Sequence, residues 1–160
     1  MKILIISDTH GDIDKAVEIL GSNNDIDLLI HLGDYFRDAQ KLADLFPRLQ
    51  VEYIYGNCDF MIGDTPAEKL LEFKGKRIFI THGHRYSVKW EYDKLVRKAE
   101  ETDADLVLFG HTHVADLVEK ERFTLLNPGS ISMSDGSSGE SYALVEIKDG
   151  KINTDIVYVG

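Results

Sequence analysis

Six times along this chain a short apolar run stops at a small or polar residue, and a side chain able to bind a metal or turn the backbone follows. Ile3 to Ser7 leads to Asp8-Thr9-His10, and Leu28 to Leu32 leads to Gly33-Asp34. Tyr53-Ile54-Tyr55 precedes Gly56-Asn57, and Ile78 to Thr81 precedes His82-Gly83-His84. Leu106 to Phe109 precedes Gly110-His111-Thr112-His113, and Leu125-Leu126 precedes Asn127-Pro128-Gly129. Runs this short, bounded by Gly, Asp or Asn, read as buried strands. Strands that end on ligand-type residues predict one shared site at their ends, suited to a hard or borderline metal.

Helix-period stretches separate the early runs. Ile13, Ala16, Val17 and Leu20 form one apolar face, with Asp12 as N-cap and Gly21 near the stop. Ala39, Leu42, Ala43 and Phe46 form a second face, ended by Pro47. Leu95, Val96 and Ala99 form a third, starting near Trp90 or Glu91 and fraying at Thr102-Asp103. Alternating strands and helices imply an α/β fold with right-handed crossovers and parallel pairing. The last third changes character: Thr124 to Leu126, Tyr142 to Ile147 and Ile152 to Val159 read as strands without helices between them. Asp149-Gly150 is a hairpin signal, and this antiparallel section is expected to complete a second sheet. Ser134 to Ser141, rich in Ser and Gly, reads as a loop, either a plain connection or part of the site mouth. With 160 residues and no repeat or linker, the expectation is one domain over 1–160.

Charge and cysteine count narrow the function. The formal net charge of -10 opposes non-specific nucleic-acid binding, which needs Lys and Arg to neutralise phosphates. No apolar run approaches the ~20 residues of a membrane-spanning helix, so no membrane partner is expected. Met1 to Ile6 is too short for a secretory signal, and a single cysteine, Cys58, excludes an intrachain disulfide and fits a reducing compartment. The expected location is cytoplasmic.

Asp8 and His10 are two residues apart, as are His111 and His113. In extended backbone such pairs project to the same side and can converge on one ion. Carboxylates, imidazoles and an amide, with no thiolate required, suit Mn, Fe, Zn, Co or Ni better than Ca or Mg. Any one junction has an ordinary explanation, because Asp and Asn after a strand form turns and caps. Four of the six histidines at such junctions are harder to assign to capping.

Asp8-Thr9-His10, Gly33-Asp34, Gly56-Asn57-Cys58-Asp59, His82-Gly83-His84 and Gly110-His111-Thr112-His113 occur in the order of the calcineurin-like metallophosphoesterase signature. With Asn127-Pro128-Gly129-Ser130 following, the short chain resembles the small YfcE-type phosphodiesterase branch of that superfamily. The resemblance implies a four-layer αββα sandwich of two mixed sheets flanked by helices, with a two-metal site at the strand ends. It implies Asp8, His10, Asp34 and His113 around one ion, with Asp34 bridging to a second that Asn57, His82 and His111 complete. The ions implied are Mn first, with Ni, Fe, Co or Zn as alternatives. Asp34, Asn57 and His82 then carry catalysis, and the reaction implied is hydrolysis of a small phosphodiester by a hydroxide shared between the ions.

Many larger family members carry a histidine where this chain has Cys58. A thiol near pKa 8.5 is a poor proton donor at neutral pH beside an imidazole near 6.5, which favours substrates with good leaving groups or a different proton donor. Cys58 reads as a small residue packed behind the site. Asp59 either orients a ligand through a hydrogen bond or caps a turn. Asn57, His84 and Arg85 are candidates to contact the substrate, Arg85 by bidentate phosphate binding, although His84 and Arg85 read equally as exposed loop residues. His31 reads as a buried histidine with a local partner, and Tyr35, Phe36 and Phe60-Met61 as pocket wall, core or subunit contact. Two alternatives stand beside the phosphodiesterase: an inactive interaction scaffold resembling the retromer subunit of this fold, and a nucleotide or dinucleoside-polyphosphate hydrolase. A homo-oligomer is compatible with so small a chain.

Overall fold

The central predicted strands are apolar on both faces because each face meets a different layer. A computed structural model describes residues 1–133 and 139–159. In β1 (Lys2–Ile6), Ile3 and Ile5 face one apolar cluster while Leu4 and Ile6 face another. β2 (Leu28–His31) repeats the division, with Leu28 and Ile30 inward and Leu29 outward. The same alternation splits Ile78 and Ile80 from Phe79 in β5 (Lys76–Thr81), and Leu106 and Leu108 from Val107 in β6 (Leu106–Leu108).

The remaining strands are β3 (Gln50–Tyr53), β4 (Glu68–Phe73), β7 (Asp116–Glu119), β8 (Thr124–Asn127), β9 (Ser141–Lys148) and β10 (Lys151–Tyr158). One sheet runs β10-β9-β1-β2-β3 and the other β4-β5-β6-β8-β7. Both are mixed: β1, β2 and β3 pair in parallel, as do β5, β6 and β8, while the outer pairings are antiparallel. Their inner faces share one core that joins Ile3, Ile5 and Ile30 to Ile78, Ile80 and Leu108. Helices α1 (Asp14–Ser22) and α2 (Phe36–Leu45) cover the outer face of the first sheet through Ala16, Leu20 and Leu42. Helix α3 (Asp93–Thr102) covers the second through Leu95 and Ala99. This is the four-layer αββα sandwich that the resemblance implies.

Several boundaries move for local reasons. The cap position of α1 is Ile13, yet Asp12 Oδ1 still accepts the Asp14 N–H at 3.1 Å. Gly21 lies inside that helix, and Asn23 Nδ2 closes it by donating to the Ile19 carbonyl at 2.8 Å. α3 starts at Asp93 because a turn closed by the Trp90 N–H on the Ser87 carbonyl, 3.0 Å, takes the preceding residues. β3 ends where the strand Tyr53 to Tyr55 is expected to begin.

Two strands, β4 and β7, have no counterpart in the sequence reading. Both are edge strands with polar outward residues, so their apolar signal is weak. The terminal hairpin is also in a different place from the one expected. β9 and β10 extend the first sheet beside β1, and the second sheet is completed by β4 and by β7 against β8. A hairpin turn specifies its own two strands but not the sheet edge it joins; that depends on the faces left uncovered. The expected turn itself is present, with Asp149 and Gly150 at φ 53° and 73°. Of the Ser-Gly loop, residues 134–138 lie outside the described residues.

The shared core makes a direct prediction. Ile80→Ala, at a fully buried position between the sheets, should lower unfolding stability by about 2–5 kcal/mol in urea titrations. Leu70→Ala, 42% exposed on β4, should cost less than about 1 kcal/mol.

Candidate metal centre

The carboxyl ends of the central parallel strands from both sheets meet along one edge. The Asp8 N–H donates to the Gly33 carbonyl at 3.1 Å, and the Gly110 N–H donates to the His82 carbonyl at 2.8 Å. Across the sheets, His82 Nδ1–H donates to the Leu32 carbonyl at 2.7 Å. That bond directs the His82 Nε2 lone pair into the seam.

The ligand pairs do not converge through extended backbone, as their spacing predicts. Asp8, His10, Asp34, His111 and His113 all have positive φ, between 48° and 74°. Left-handed non-glycine residues cost about 1–2 kcal/mol each, so they persist only where the surroundings hold them. The chain turns sharply on leaving each strand, and this turn aims the side chains back at the seam.

Asp8, His10, Asp34 and His113 each offer one ligand atom, all within 4.8 Å of one another. Asp8 Oδ1 lies 3.1 Å from His113 Nε2, 3.9 Å from His10 Nε2 and 3.8 Å from His82 Nε2. Asp8 Oδ2 is engaged by the Ser7 hydroxyl and, at 3.3 Å, by the His111 N–H. Oδ1 accepts no hydrogen bond, and His10 Nε2 and His82 Nε2 are likewise buried and unpartnered. Buried polar atoms are normally satisfied, because each orphan costs free energy. Carboxylate and imidazole lone pairs aimed at a common point fit a divalent transition metal.

Asp34 presents different oxygens to different histidines. Oδ2 is 3.7 Å from His10 Nε2 and Oδ1 is 3.5 Å from His82 Nε2, while the Cys58 N–H donates to Oδ1 at 2.9 Å. Burial works to raise the Asp34 pKa, but His82 and the Cys58 amide outweigh it and hold the carboxyl well below its usual range. Burial likewise opposes a charged His82, and Asp34 and Asp8 overcome that, raising its pKa.

The Asp34 loop is gripped by Asp59. Its Oδ1 accepts from Tyr35 N–H at 2.7 Å and Phe36 N–H at 3.0 Å, and its Oδ2 from Asp34 N–H at 3.0 Å and Gly56 N–H at 2.7 Å. One carboxylate thus caps the start of α2 from a distant loop and at the same time fixes the backbone of the candidate ligand Asp34. Gly56 permits this closeness: a Cβ there would sit 2.6 Å from Asp34 N and 2.9 Å from His82 Cγ.

The other candidates spread toward the rim. His111 packs edge-on to His82 with ring centroids 5.1 Å apart, and burial, His82 and Lys89 lower its pKa to about 4. Asn57 is exposed, and its side-chain amide lies against Cys58 Sγ at 3.6 Å. Cys58 is half-buried at the rim rather than packed behind the site, and burial together with Asp34 raises its thiol pKa. His84 is half-buried with Nδ1 unpartnered and its ring 5.4 Å from that of His82. Arg85 is exposed and donates to the Tyr55 hydroxyl at 2.7 Å. Tyr35 lies 5.3 Å from the His10 ring, while Phe60 and Met61 are 75% and 86% exposed, so Phe36 alone of that group belongs to the core.

A supporting polar network has little signature in the sequence. His31 is fully buried, and burial lowers its pKa to about 4. As a neutral ring it accepts the Gly33 N–H on Nδ1 at 3.1 Å and donates from Nε2 to Thr9 Oγ1 at 2.9 Å. Thr9 passes a hydrogen bond to Asp38 Oδ2 at 2.6 Å, which also accepts the Gly11 N–H at 2.8 Å. Ser130 and Ser132 hold the Asp8 carbonyl at 2.8 and 3.2 Å. Asn127 Nδ2 donates to the Gly110 carbonyl at 3.3 Å and to Thr112 Oγ1 at 2.9 Å. The sixth strand-end motif therefore buttresses two of the other loops, those of Asp8-Thr9 and Gly110-Thr112.

Comparison with known proteins finds similar chains and folds. Residues 1–150 match the calcineurin-like phosphoesterase superfamily domain. The chain is 34% identical to the probable metallophosphoesterase YsnB of Bacillus subtilis, over 93% of this chain and 86% of that protein. It is 32% identical to a phosphodiesterase of Methanocaldococcus jannaschii, over 81% of this chain and 83% of the relative. A conserved protein of Streptococcus pneumoniae, described as a predicted phosphoesterase, superposes with TM-score 0.83 at 31% identity, covering 98% of this chain and 88% of its own. Vps29 of Entamoeba histolytica, solved with zinc, superposes with TM-score 0.77 at 22% identity over 99% of both chains, a likeness of fold alone.

Two predictions test the support. Asp59→Ala leaves four backbone donors without their acceptor; it should cost on the order of 3 kcal/mol in stability and weaken metal affinity about 10–100-fold by calorimetry. His31, neutral in the fold and free to protonate near pH 6.5 when unfolded, stabilises fully above that pH. Its contribution falls as pH drops from 6.5 toward about 4, by roughly 3 kcal/mol. Urea unfolding of metal-free protein between pH 7 and 4.5 should show that loss in the wild type and a smaller one in His31→Gln.

Proposed function

The chain belongs to the calcineurin-like phosphoesterase superfamily, and from that premise we propose that it is a dinuclear-metal-dependent phosphodiesterase acting on a small phosphodiester. The observation that carries the proposal is the division of Asp34, whose two oxygens each lie near a different histidine. A bridging carboxylate needs that geometry. Asp8, His10, Asp34 and His113 would hold one ion, and Asn57, His82 and His111 would join Asp34 around a second. Imidazole-rich ligation favours Mn, with Ni, Fe, Co and Zn also suited. Two divalent ions, when bound, supply charge for the phosphoryl oxygens and lower the pKa of water from about 15.7 toward neutrality.

The chain's own groups do the rest. Asp34 stays ionised because its surroundings hold its pKa low, and His82 is locked by Leu32 in the tautomer that leaves Nε2 free. Asn57, His84 and Arg85 stand at the rim, where an ester's non-reacting part would lie. Cys58, with its pKa raised, is no proton donor for the leaving group, which favours diesters with good leaving groups. This reading places the activity in one domain over residues 1–160, in the cytoplasm. Among the described residues no helix is long and apolar enough to cross a membrane.

The scaffold reading rests on fold likeness to Vps29. The orphaned ligand atoms point to a metal in either reading; what supports the enzyme is the greater likeness to relatives named as phosphoesterases.

Hydrolysis of bis-4-nitrophenyl phosphate decides between them. Metal removal should lower the rate at least about 100-fold, Mn should restore it, and Asp34→Asn should remain low after Mn addition. Equal rates in all samples would sink the phosphodiesterase reading. A panel of nucleotides and dinucleoside polyphosphates run beside it separates the third candidate.

A further inference from the structure

Anions outnumber cations 28 to 18 in this chain, yet one cleft reverses the balance. It measures about 350 Å³ and is lined by Arg85, Tyr86, Lys94, Arg97, Lys98 and Glu101. Lys94, Arg97, Lys98 and Glu101 follow the i, i+3, i+4, i+7 spacing of one helix face, so α3 presents three cations in a row. Arg85 reaches the same cleft from the loop after His82.

The cations are poorly neutralised. Lys98 has Glu68 at 3.8 Å and Glu101 at 4.0 Å. Lys94 donates to the Ser87 hydroxyl at 3.1 Å and Arg85 to the Tyr55 hydroxyl at 2.7 Å, both uncharged partners. Among the described residues Arg97 has no ion pair or side-chain hydrogen bond. Three positive charges thus line a concavity without carboxylate partners, on a protein whose overall field repels anions.

Position gives this cleft its meaning. Arg85 directly follows His84, whose ring is 5.4 Å from that of the candidate ligand His82 and 6.2 Å from that of His111. Arg85, three residues after His82, thus links the loop that leaves the metal centre to the basic face of α3.

We propose that this cleft is a phosphate-binding subsite that holds a second phosphate of the diester substrate, displaced from the ester that reacts. The inference rests on the phosphodiesterase reading and adds a substrate class to it: phosphodiesters that carry a further phosphate, as a 5′-phosphorylated dinucleotide does. Arg97 and Lys94 supply charge-assisted hydrogen bonds, and Arg85, held by Tyr55, spans the two ends of the ligand.

The probes are thymidine dinucleotides with and without a 5′-terminal phosphate, titrated calorimetrically at low salt into metal-free protein. The wild type should bind the phosphorylated form about tenfold more tightly, the sum of two exposed ion contacts. Lys94→Gln/Arg97→Gln should reduce that preference to within about twofold, while its turnover of bis-4-nitrophenyl phosphate with Mn stays within about twofold of wild type. Equal affinity for the two dinucleotides in the wild type, or a preference that survives in the double variant, overturns the subsite. A matching gain for the unphosphorylated dinucleotide on adding inorganic phosphate assigns the cleft to a free anion and overturns it as well. Absence of nitrophenyl turnover in the wild type would instead remove the phosphodiesterase reading, whichever way the binding preference falls.

Discussion

Asp8 Oδ1 is buried, accepts no hydrogen bond and lies within 4 Å of three imidazole nitrogens. Burying a carboxylate oxygen without a donor is costly, and the fold tolerates it at the seam where its two sheets end. Much of this edge serves to keep that oxygen in place. Ser7 and the His111 amide occupy the other oxygen, and Ser130 and Ser132 hold the carbonyl. Gly110 leaves room, since a Cβ there would meet Asp8 Oδ2 at 2.9 Å.

Beyond the strand ends, polar networks join apolar residues such as Leu32, Ile54 and Phe109 in holding this point. Two networks flank the seam. His31, Thr9 and Asp38 tie the first ligand loop to α2 through neutral and charged hydrogen bonds. Asp59 ties the second loop to the start of the same helix. Helix α2 is thus anchored twice to the ligand loops, and its position and the ligand geometry are coupled. That coupling also explains how several non-glycine residues stay in left-handed conformations at one edge.

Which strands were legible followed from burial. β1, β2, β5 and β6 are covered on both sides, so each carries an unbroken apolar run that stands out in the sequence. β4 and β7 lie at the edges of the second sheet, where polar residues protect against further pairing, and the same residues hide them from a hydrophobic pattern. The site followed a similar rule. Asp8, His10, Asp34, His82, His111 and His113 announce themselves by residue type at strand ends. His31, Asp38 and Ser132 are ordinary residues made important by neighbours tens or more than a hundred positions away. Asp59 showed two equal readings in sequence because one carboxylate performs both tasks.

Residue order alone shows that strands alternate with helices, that six strand ends carry turn and ligand-type residues, and which residues are candidates to share an ion. Local periodicity and residue type suffice for that, since both are properties of short segments. The tertiary structure decided that the terminal hairpin joins β1, that ligands converge through left-handed turns rather than extended pairs, and that Asp34 faces two ways. Those outcomes depend on which faces remain uncovered once two sheets close on a common core, and no single segment carries that information.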